Sequence, residues 1–323
     1  MEKQLDLKPK ISVIIPSHNR HLVLRDVLHG LEKQDCSKYS YEVIVVDDGS
    51  TDETAEFLHR FSRQTTMNFR PVIGKCGSAS ASRNLGINRA KGDYILFLDA
   101  DTIPEETLVL RHLQHQNHFG DAKVCILGQV SMAPELDQPD QARLWETEFN
   151  FEQTDLVELE WWKYRTANTS IKKSLLKQLG GFNSKLLAAE DTELAYRLSQ
   201  TDVRFYYDES IVAIHYHPID LDNYLQKASV YGQAVGRWYQ MNPELRRDLV
   251  MRYGVFAVEL PLESKVKYFI RSLIVNRATL PVIVFLGKLV RRYWFIASDA
   301  LYKCAYKYRI RRAFRQSMAA ATK

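Results

Sequence analysis

The sequence predicts an α/β protein in which a mostly parallel central sheet is flanked by helices. Through about the first hundred residues, short apolar segments of strand length alternate with segments whose apolar residues recur at helical spacing. This alternation is typical of parallel strands joined by helices. Three of the apolar segments also end in polar or acidic residues, and sheets of this kind bind ligands at the carboxyl ends of their strands.

Four strands are predicted in this region. The first spans 11–15 and is expected to stop at Pro16, and the second spans 42–46. A third is expected near 68–73. The fourth, 94–98, is apolar throughout, as strands buried on both faces are.

Three helices are predicted between these strands. The S-x-x-E spacing from Ser50 to Glu53 is that of a capping box, so one helix is expected to begin there. Another is expected over about 80–90. The first helix is predicted from apolar residues at i, i+3, i+4 and i+7, namely Leu24, Val27, Leu28 and Leu31.

Beyond residue 104 the alternation loosens. A helix over 172–179 is expected to stop at Gly180-Gly181, and another is expected to open at Glu190-Asp191. Strands are predicted at 204–207 and 211–214. A helical extension is expected at the C-terminus.

The composition is that of a globular protein, with 323 residues, of which 46% are hydrophobic and 26% charged. The four cysteines are widely separated and form no CxxC pair, so neither a zinc site nor a disulfide framework is indicated. The N-terminal residues include no apolar signal segment, and no apolar run approaches the length of about 18 residues that a membrane-spanning helix needs. These observations predict a cytoplasmic protein.

The fourth predicted strand ends in two aspartates, Asp99 and Asp101. If the backbone stays extended, their side chains project to the same side about 6–7 Å apart. Two carboxylates that close repel each other unless a positive charge lies between them. Pro16 and His18 follow the first predicted strand, and Asp47 and Asp48 follow the second. Turn chemistry alone explains any one of these ends, but three ends in register favour a ligand site.

Three further features have two interpretations each. Arg83 is expected in the first turn of its helix, where the macrodipole disfavours a cation, so either an anion docks there or the side chain is simply solvated. Acidic residues at 190–191 either have a functional role or only stabilise the start of a helix, as they do in any protein. His215 and His217 are either two ligands facing one way or two histidines in a loop.

Taken together, these segments resemble glycosyltransferase family 2, the inverting enzymes of the GT-A fold. The resemblance rests on five motifs in family order over about residues 10–240: SVIIPSHNR (12–20), VIVVDDGSTDET (43–54), ASRNLGINRAKGDYILFLDADTIP (81–104), LGGFNSKLLAAEDTELAYRL (179–198) and HYHP (215–218). It implies a Rossmann-like nucleotide-diphospho-sugar transferase fold. The catalytic domain would span 1–255, with a nucleotide-binding half at about 1–115 and an acceptor half at about 116–255, followed by a C-terminal segment, 256–323.

The resemblance also implies a role for each matching residue. Pro16, His18 and Asp48 would line the nucleotide pocket, and Arg83 would approach the diphosphate or the base. Asp99 would lie near the ribose and the water shell of a metal ion. Asp101 would bind Mg²⁺ or Mn²⁺ directly, and oxygen ligands suit these hard cations. His215 or His217 would complete the shell, and His215 is preferred.

Catalysis would then depend on Asp191 as the base that removes the acceptor proton. Glu190 would orient substrate or base. The implied reaction is transfer of a sugar, of hexosyltransferase type, from a nucleotide-diphosphate sugar, with UDP as the default nucleotide, to a hydroxyl of a glycan or lipid-linked acceptor. Trp145, Trp161 and Trp162 either stack on a sugar or fill core.

Two other functions remain open. A sugar-phosphate nucleotidyltransferase shares the α/β domain and acidic metal ligands, but it is expected to carry a Gly-rich loop where this chain has Pro16-Ser17-His18-Asn19-Arg20. A non-catalytic scaffold on the membrane is argued against by the intact aspartates. A dehydrogenase is disfavoured because GxGxxG is missing after Ile15.

The last fifth of the chain is strongly basic. Residues 263–323 hold 14 Lys/Arg and 2 Asp/Glu, whereas residues 1–262 hold 30 and 37. Apolar, aromatic and basic residues mixed on helices suit an anionic membrane surface. We therefore expect peripheral attachment to the cytoplasmic face of the membrane; packing on the catalytic domain or on a second subunit is the alternative. Nucleic-acid binding is disfavoured because no recognition motif accompanies the charge.

Overall fold

The computed structural model describes residues 8–36, 41–136, 156–217, 221–246, 273–290 and 295–321, together with positions 249 and 269. The chain forms two compact units. The first comprises residues 1–134, 151–185 and 190–217, and the second comprises 135–150, 186–189 and 218–323. The predicted domain boundary near residue 255 lies outside the described residues and stays a prediction.

The first unit is built on a single mixed sheet of nine strands. They are β1 (Ile11–Ser17), β2 (Tyr41–Asp48), β3 (Phe69–Gly74), β4 (Tyr94–Leu98), β5 (Thr102–Pro104), β6 (Val124–Met132), β7 (Val157–Leu159), β8 (Asn168–Lys172) and β9 (Arg204–His215). Their order is β3-β2-β1-β4-β8-β6-β9-β5, and β7 pairs with β9. The first four strands run parallel, as predicted, and β8 then joins β4 in antiparallel orientation.

Six helices of the first unit connect these strands. They are α1 (His21–Glu32), α2 (Thr54–Gln64), α3 (Ala79–Arg89), α4 (Leu108–Phe119), α5 (Lys173–Gln178) and α6 (Glu190–Ser199). The predicted stripe of α1 is buried at all four positions, and Gly180 and Gly181 both take the left-handed conformation that ends α5.

Two hydrophobic clusters cover the two faces of the sheet. Alternate residues of each parallel strand enter opposite clusters, so Val13 and Ile15 belong to one and Ile14 to the other. All three are fully buried. β4 is therefore apolar throughout, and the polar residues of β1 and β2 lie at or next to the ends of these strands.

Two predicted boundaries are wrong for local reasons. The first strand continues through Pro16, which pairs in register with Val46, and ends at Ser17. The helix predicted from the capping box begins at Thr54, because the hydroxyl of Ser50 donates to Asp47 and does not cap the helix. Asp52 accepts the bonds from the Thr54 backbone and hydroxyl instead.

Sequence reasoning also missed part of the second half of the sheet. β8 was not predicted, although it lies in the middle of the sheet between β4 and β6. The two strands predicted at 204–207 and 211–214 are one strand, β9, whose pairing with β6 shifts register at Gly128/Gln129. Such an irregularity interrupts the alternation by which a single strand is recognised.

The described residues of the second unit after position 220 are mainly helical. They include α7 (Leu221–Met241), α8 (Leu280–Val290) and α9 (Phe295–Ala321). α7 and α9 pack closely, since a Cβ on Gly232 would overlap the backbone of Ile310, and Trp238 and Phe314 are buried. None of the described helices is both long and apolar enough to cross a bilayer.

Candidate functional site: an acidic and cationic cluster at the strand ends

The candidate site lies at the carboxyl ends of β2, β1 and β4, which are neighbours in the sheet. Because these strands are parallel, the residues that follow them reach the same edge. This edge brings together His18 after β1, Asp48 at the end of β2 and Asp99 after β4. The sequence-based prediction that these ends converge is therefore consistent with the observed topology.

The loops after β1 and β2 are tied together by hydrogen bonds. His18 Nδ1 lies 3.0 Å from the backbone oxygen of Asp48. Asn19, in the left-handed conformation with φ 52°, accepts through Oδ1 from the backbone N–H of Thr51 at 2.8 Å. The Asp48 carboxylate in turn accepts from the backbone of Gly77 at 2.8 Å and from that of Cys76. Asp48 therefore connects the end of β2 to the loop that enters α3.

The two aspartates after β4 have different partners among the described residues. The backbone N–H of Thr102 donates to the Asp99 carbonyl at 3.1 Å, so the chain turns between them and does not stay extended. Asp99 Oδ1 accepts from Arg83 at 3.0 Å. Asp101 lies 3.7 Å from Arg20 Nε and 3.5 Å from His215 Nε2. The turn corrects the expectation of an extended backbone here, and each carboxylate has its own protein partners.

Arg83 bridges Asp99 and Glu190. Its two terminal nitrogens donate to them at 3.0 and 2.9 Å, and its side chain is only 6% exposed. Burial by itself lowers the pKa of Arg83, but the charges of Asp99 and Glu190 outweigh it and the pKa is raised. Ser78 caps α3, so Arg83 lies in the second turn. The expected first-turn position is wrong. The positive charge of Arg83 is balanced by the carboxylates of Asp99 and Glu190.

Glu190 and Asp191 open α6, as predicted. Burial and the neighbouring charge of Asp191 raise the pKa of Glu190, and the opposing effect of Arg83 is smaller. Asp191 Oδ1 accepts from the backbone N–H of Thr192 at 2.7 Å. Two adjacent carboxylates are thus held at one helix start, and among the described residues only Glu190 forms an ion pair with an arginine.

A clamp that the sequence did not reveal holds α3 and α6 in place. Asn84, next to Arg83, donates to the Phe182 carbonyl and accepts from the Phe182 N–H, both at 2.8 Å. Arg197 of α6 donates to the carbonyls of Leu179 and Gly181 at 2.8 and 2.7 Å. The sequence predicts the LGGF segment (179–182) as a helix end, and the segment is part of the family resemblance. The hydrogen bonds to its backbone join the helix of Arg83 to the helix of Asp191.

Asp101 and His215 are suitable first ligands for a divalent cation. The pairing of Thr102 with His215 between β5 and β9 brings the histidine beside Asp101, and the two side chains are 13% and 12% exposed. The His217 ring lies 6.0 Å from the His215 ring. No cluster of three or more His, Cys, Asp or Glu side chains suited to a metal is found within the described ranges.

The tryptophans are only partly described. Trp161 packs on the core cluster beneath α6, with its ring 5.5 Å from that of Tyr196 in an edge-on contact. Trp162 lies edge-on to Trp161 at 5.7 Å. Trp145 lies outside the described residues. Trp161 therefore contributes to packing beside the helix of Asp191.

Solved structures with the same fold define the class of protein. A mannosyltransferase from Pyrobaculum calidifontis, PcManGT, in complex with GDP-Man and Mn²⁺, superimposes with a TM-score of 0.61, at 17% identity over 92% of this chain and 86% of that one. TarS 1–349 from Staphylococcus aureus, in complex with UDP, gives a TM-score of 0.55, at 17% identity over 96% and 92%. The fold is the GT-A transferase fold.

The family follows from the sequence comparisons. The model described as Glycosyl transferase family 2 matches residues 12–180, just over half of the chain. Probable glycosyltransferase YdaM of Bacillus subtilis is 30% identical over 207 residues, covering 59% of this chain and 46% of YdaM. Chondroitin synthase of Escherichia coli is 25% identical over 317 residues, covering 83% and 46%. The chain belongs to glycosyltransferase family 2, and it spans about half the length of these curated relatives.

Proposed function

We propose that this enzyme transfers a sugar, with inversion, from a nucleotide-diphosphate sugar to a hydroxyl of a glycan or lipid-linked acceptor. The observation that carries the proposal is the bridge from Asp99 through Arg83 to Glu190, which couples the strand-end acid to the helix of Asp191. The donor site and the base are thereby held by one buried cation.

Donor binding is assigned to the strand-end loops. Pro16, His18 and Asp48 are proposed to surround the nucleotide, and Asp99, Arg83 and Glu190 to orient the ribose and diphosphate. The loop bonds of Asp48 support this, because they order the entrance to α3 before a ligand arrives. UDP is the proposed nucleotide, supported by the UDP complex of TarS; GDP, as in the PcManGT complex, is the second choice.

Asp191 is proposed as the general base. Its carboxylate would accept the proton of the acceptor hydroxyl while that oxygen attacks the anomeric carbon from the face opposite the leaving diphosphate. The bond from carbon to the leaving oxygen breaks as the new bond forms, so a single displacement inverts the configuration. Glu190 is proposed to orient, because its carboxylate is already bound to Arg83.

Asp101 and His215 are proposed to hold Mg²⁺ or Mn²⁺. Such a cation would neutralise charge developing on the leaving diphosphate. Mn²⁺ in the PcManGT complex supports a divalent ion at this kind of site. Arg20 is also close to this site, with its Nε 3.7 Å from the Asp101 carboxylate.

The acceptor is proposed to belong to polysaccharide biosynthesis. Chondroitin synthase, which matches most of this chain, is named for the synthesis of a glycan, and this supports a sugar hydroxyl as the nucleophile. A lipid-linked acceptor is consistent with the proposed location of the protein at the cytoplasmic face of the membrane.

A thermal-shift screen of UDP- and GDP-sugars, each with Mn²⁺ or with a chelator, tests the proposal. A ligand that binds only the folded state stabilises it, by about 2.7 kcal/mol at a hundred times its Kd. We expect one donor to raise the melting temperature with Mn²⁺ and to raise it less with chelator. No shift with any nucleotide sugar would contradict the proposed donor class.

A further inference from the structure

α8 presents an apolar stripe to solvent. Val282, Phe285, Leu286 and Leu289 recur at i, i+3, i+4 and i+7 and are 56%, 62%, 41% and 58% exposed. Such spacing places them on one side of the helix. Leu273 and Ile274, shortly before the helix, are also exposed, at 62% and 59%. Exposed large apolar residues grouped in this way indicate a binding surface.

The opposite side of α8 is occupied by the rest of the second unit. Leu280, Ile283 and Gly287 are buried. A Cβ on Gly287 would overlap the Tyr302 ring of α9, and Ser298 donates to the Gly287 carbonyl at 3.0 Å. The helix is therefore fixed by its buried side, and the apolar stripe does not belong to the core of this unit.

The same unit carries a large excess of positive charge. The described residues 273–290 and 295–321 contain eight Lys/Arg and one Asp in the sequence. Five cations of α9 lie along a cavity of about 700 Å³ that Val275, Ala300 and Tyr308 also line: Lys303, Lys307, Arg311, Arg312 and Arg315. Lys307 and Arg312 are exposed, and neither forms an ion pair with any residue that the structure describes.

We propose that this unit binds an anionic lipid bilayer, with the α8 stripe entering the interface and the α9 cations contacting the headgroups. Charge decides between a bilayer and a second copy of the chain. Two copies meeting through this surface would bring like charges together, whereas anionic headgroups attract them. Attachment of this unit to a bilayer does not depend on the chemistry proposed for the first unit.

The length of α8 fixes the mode of binding. Its 11 residues extend for about 16 Å, roughly half of the hydrocarbon thickness of a bilayer. A helix of this length with one apolar side lies in the plane of the interface. Lys288, between the apolar stripe and the buried side, is 48% exposed and pairs with Asp222 at 3.3 Å.

Sedimentation of the full chain with vesicles tests the proposal. We expect binding to vesicles of phosphatidylcholine with phosphatidylglycerol, and binding at least about tenfold weaker to phosphatidylcholine alone or at high salt. Phe285→Asp combined with Leu289→Asp is expected to weaken binding by more than about tenfold, because two large apolar side chains no longer enter the lipid. Leu22→Asp, on α1 and 71% exposed, is the matched control and should bind like the parent chain.

A second variant separates the charge from the apolar stripe. Lys307→Glu with Arg312→Glu should reduce binding to anionic vesicles and leave any weak binding to neutral vesicles unchanged. Each variant should keep the donor-induced thermal shift of the parent, which separates loss of attachment from loss of the proposed function.

Two results would overturn the proposal. One is a parent chain that does not sediment with anionic vesicles. The other is a parent chain that is dimeric by sedimentation velocity and becomes monomeric on Phe285→Asp with Leu289→Asp, while vesicle binding is unaffected. The second result would assign the stripe to a second copy of the chain.

Discussion

At the scale of single residues, the site is organised by one buried arginine. Arg83 holds Asp99 and Glu190 at hydrogen-bond distance, which leaves Asp101 and Asp191 as the acids that it does not bind directly. A buried cation with two carboxylate partners is costly to disturb, because removal of one partner leaves a buried charge uncompensated. This geometry supports the separate roles proposed for the four acids.

Asp191→Asn is expected to abolish general-base catalysis and to leave donor affinity unchanged. The amide keeps the size of the side chain but cannot take a proton, so turnover should fall by about 10²–10⁴-fold or more. Single-turnover rates and calorimetric donor binding measure the two effects. Asp202→Asn is a control at an exposed turn after the same helix. Full turnover by Asp191→Asn would contradict the role of the base.

Arg83→Lys is expected to destabilise the protein and to weaken donor binding. Lysine is a point charge and cannot reach Asp99 and Glu190 in the forked geometry of the guanidinium. The loss should approach the roughly 3–5 kcal/mol seen when a buried ion pair is broken. Urea unfolding measures it. Arg25→Lys, whose partner Asp26 is exposed, should change the free energy of unfolding little, by about 0–1 kcal/mol.

At the scale of elements, the loop after α5 positions two helices at once. Asn84 of α3 and Arg197 of α6 both bind the backbone of this loop. Gly181 is close to Asn84, and a Cβ there would overlap its Oδ1, whereas Gly180 has open space although both glycines have φ 74°.

The two glycines therefore form a matched pair. Gly180→Ala should cost about 1–2 kcal/mol for the left-handed conformation alone. Gly181→Ala should cost more, by roughly 1–3 kcal/mol, because Asn84 must also move. Chemical unfolding of both variants measures the difference, and turnover should fall further for Gly181→Ala since α3 carries Arg83. Equal stabilities would show that Asn84 does not clamp the loop.

Elements were predictable where local sequence patterns define them, and were missed where they depend on contacts with residues far away in the chain. β1 to β4 and the buried stripe of α1 were predicted because local periodicity and parallel pairing agree. β8 was missed because its polar residues 168–170 are buried: His112 lies 2.9 Å from both Ser170 Oγ and Asn168 Oδ1. The charge partners of Arg83 were also unpredictable, since Glu190 is 107 positions away.

At the scale of the whole molecule, buried His112 makes stability depend on pH. Burial lowers the pKa of His112 to about 4 from 6.5, and the Asn168 bond opposes this only in part, with His115 and Asp208 as the nearest charges. Below pH 6.5 the unfolded chain binds a proton that folded His112 does not, so the stability contributed by neutral His112 is complete above pH 6.5 and is lost as the pH falls.

Urea unfolding between pH 7 and pH 4 checks this dependence. The shift corresponds to about 3 kcal/mol of stability lost across that range, in addition to the contributions of other groups. His112→Gln should be less sensitive to pH over the same window, because glutamine retains polar contacts but does not titrate. An unchanged pH slope in His112→Gln would show that folding does not lower the pKa of His112.

The most direct test of the proposed chemistry is calorimetry of the preferred nucleotide sugar with and without Mn²⁺, on the parent chain, Asp101→Asn and the exposed control Asp121→Asn. We expect donor binding at least about tenfold tighter with Mn²⁺ in the parent and in the control, since a divalent cation held by Asp101 would neutralise charge on the diphosphate. Asp101→Asn should lose this dependence and its turnover. Equal donor affinity with and without the ion, together with full turnover by Asp101→Asn, would contradict the account.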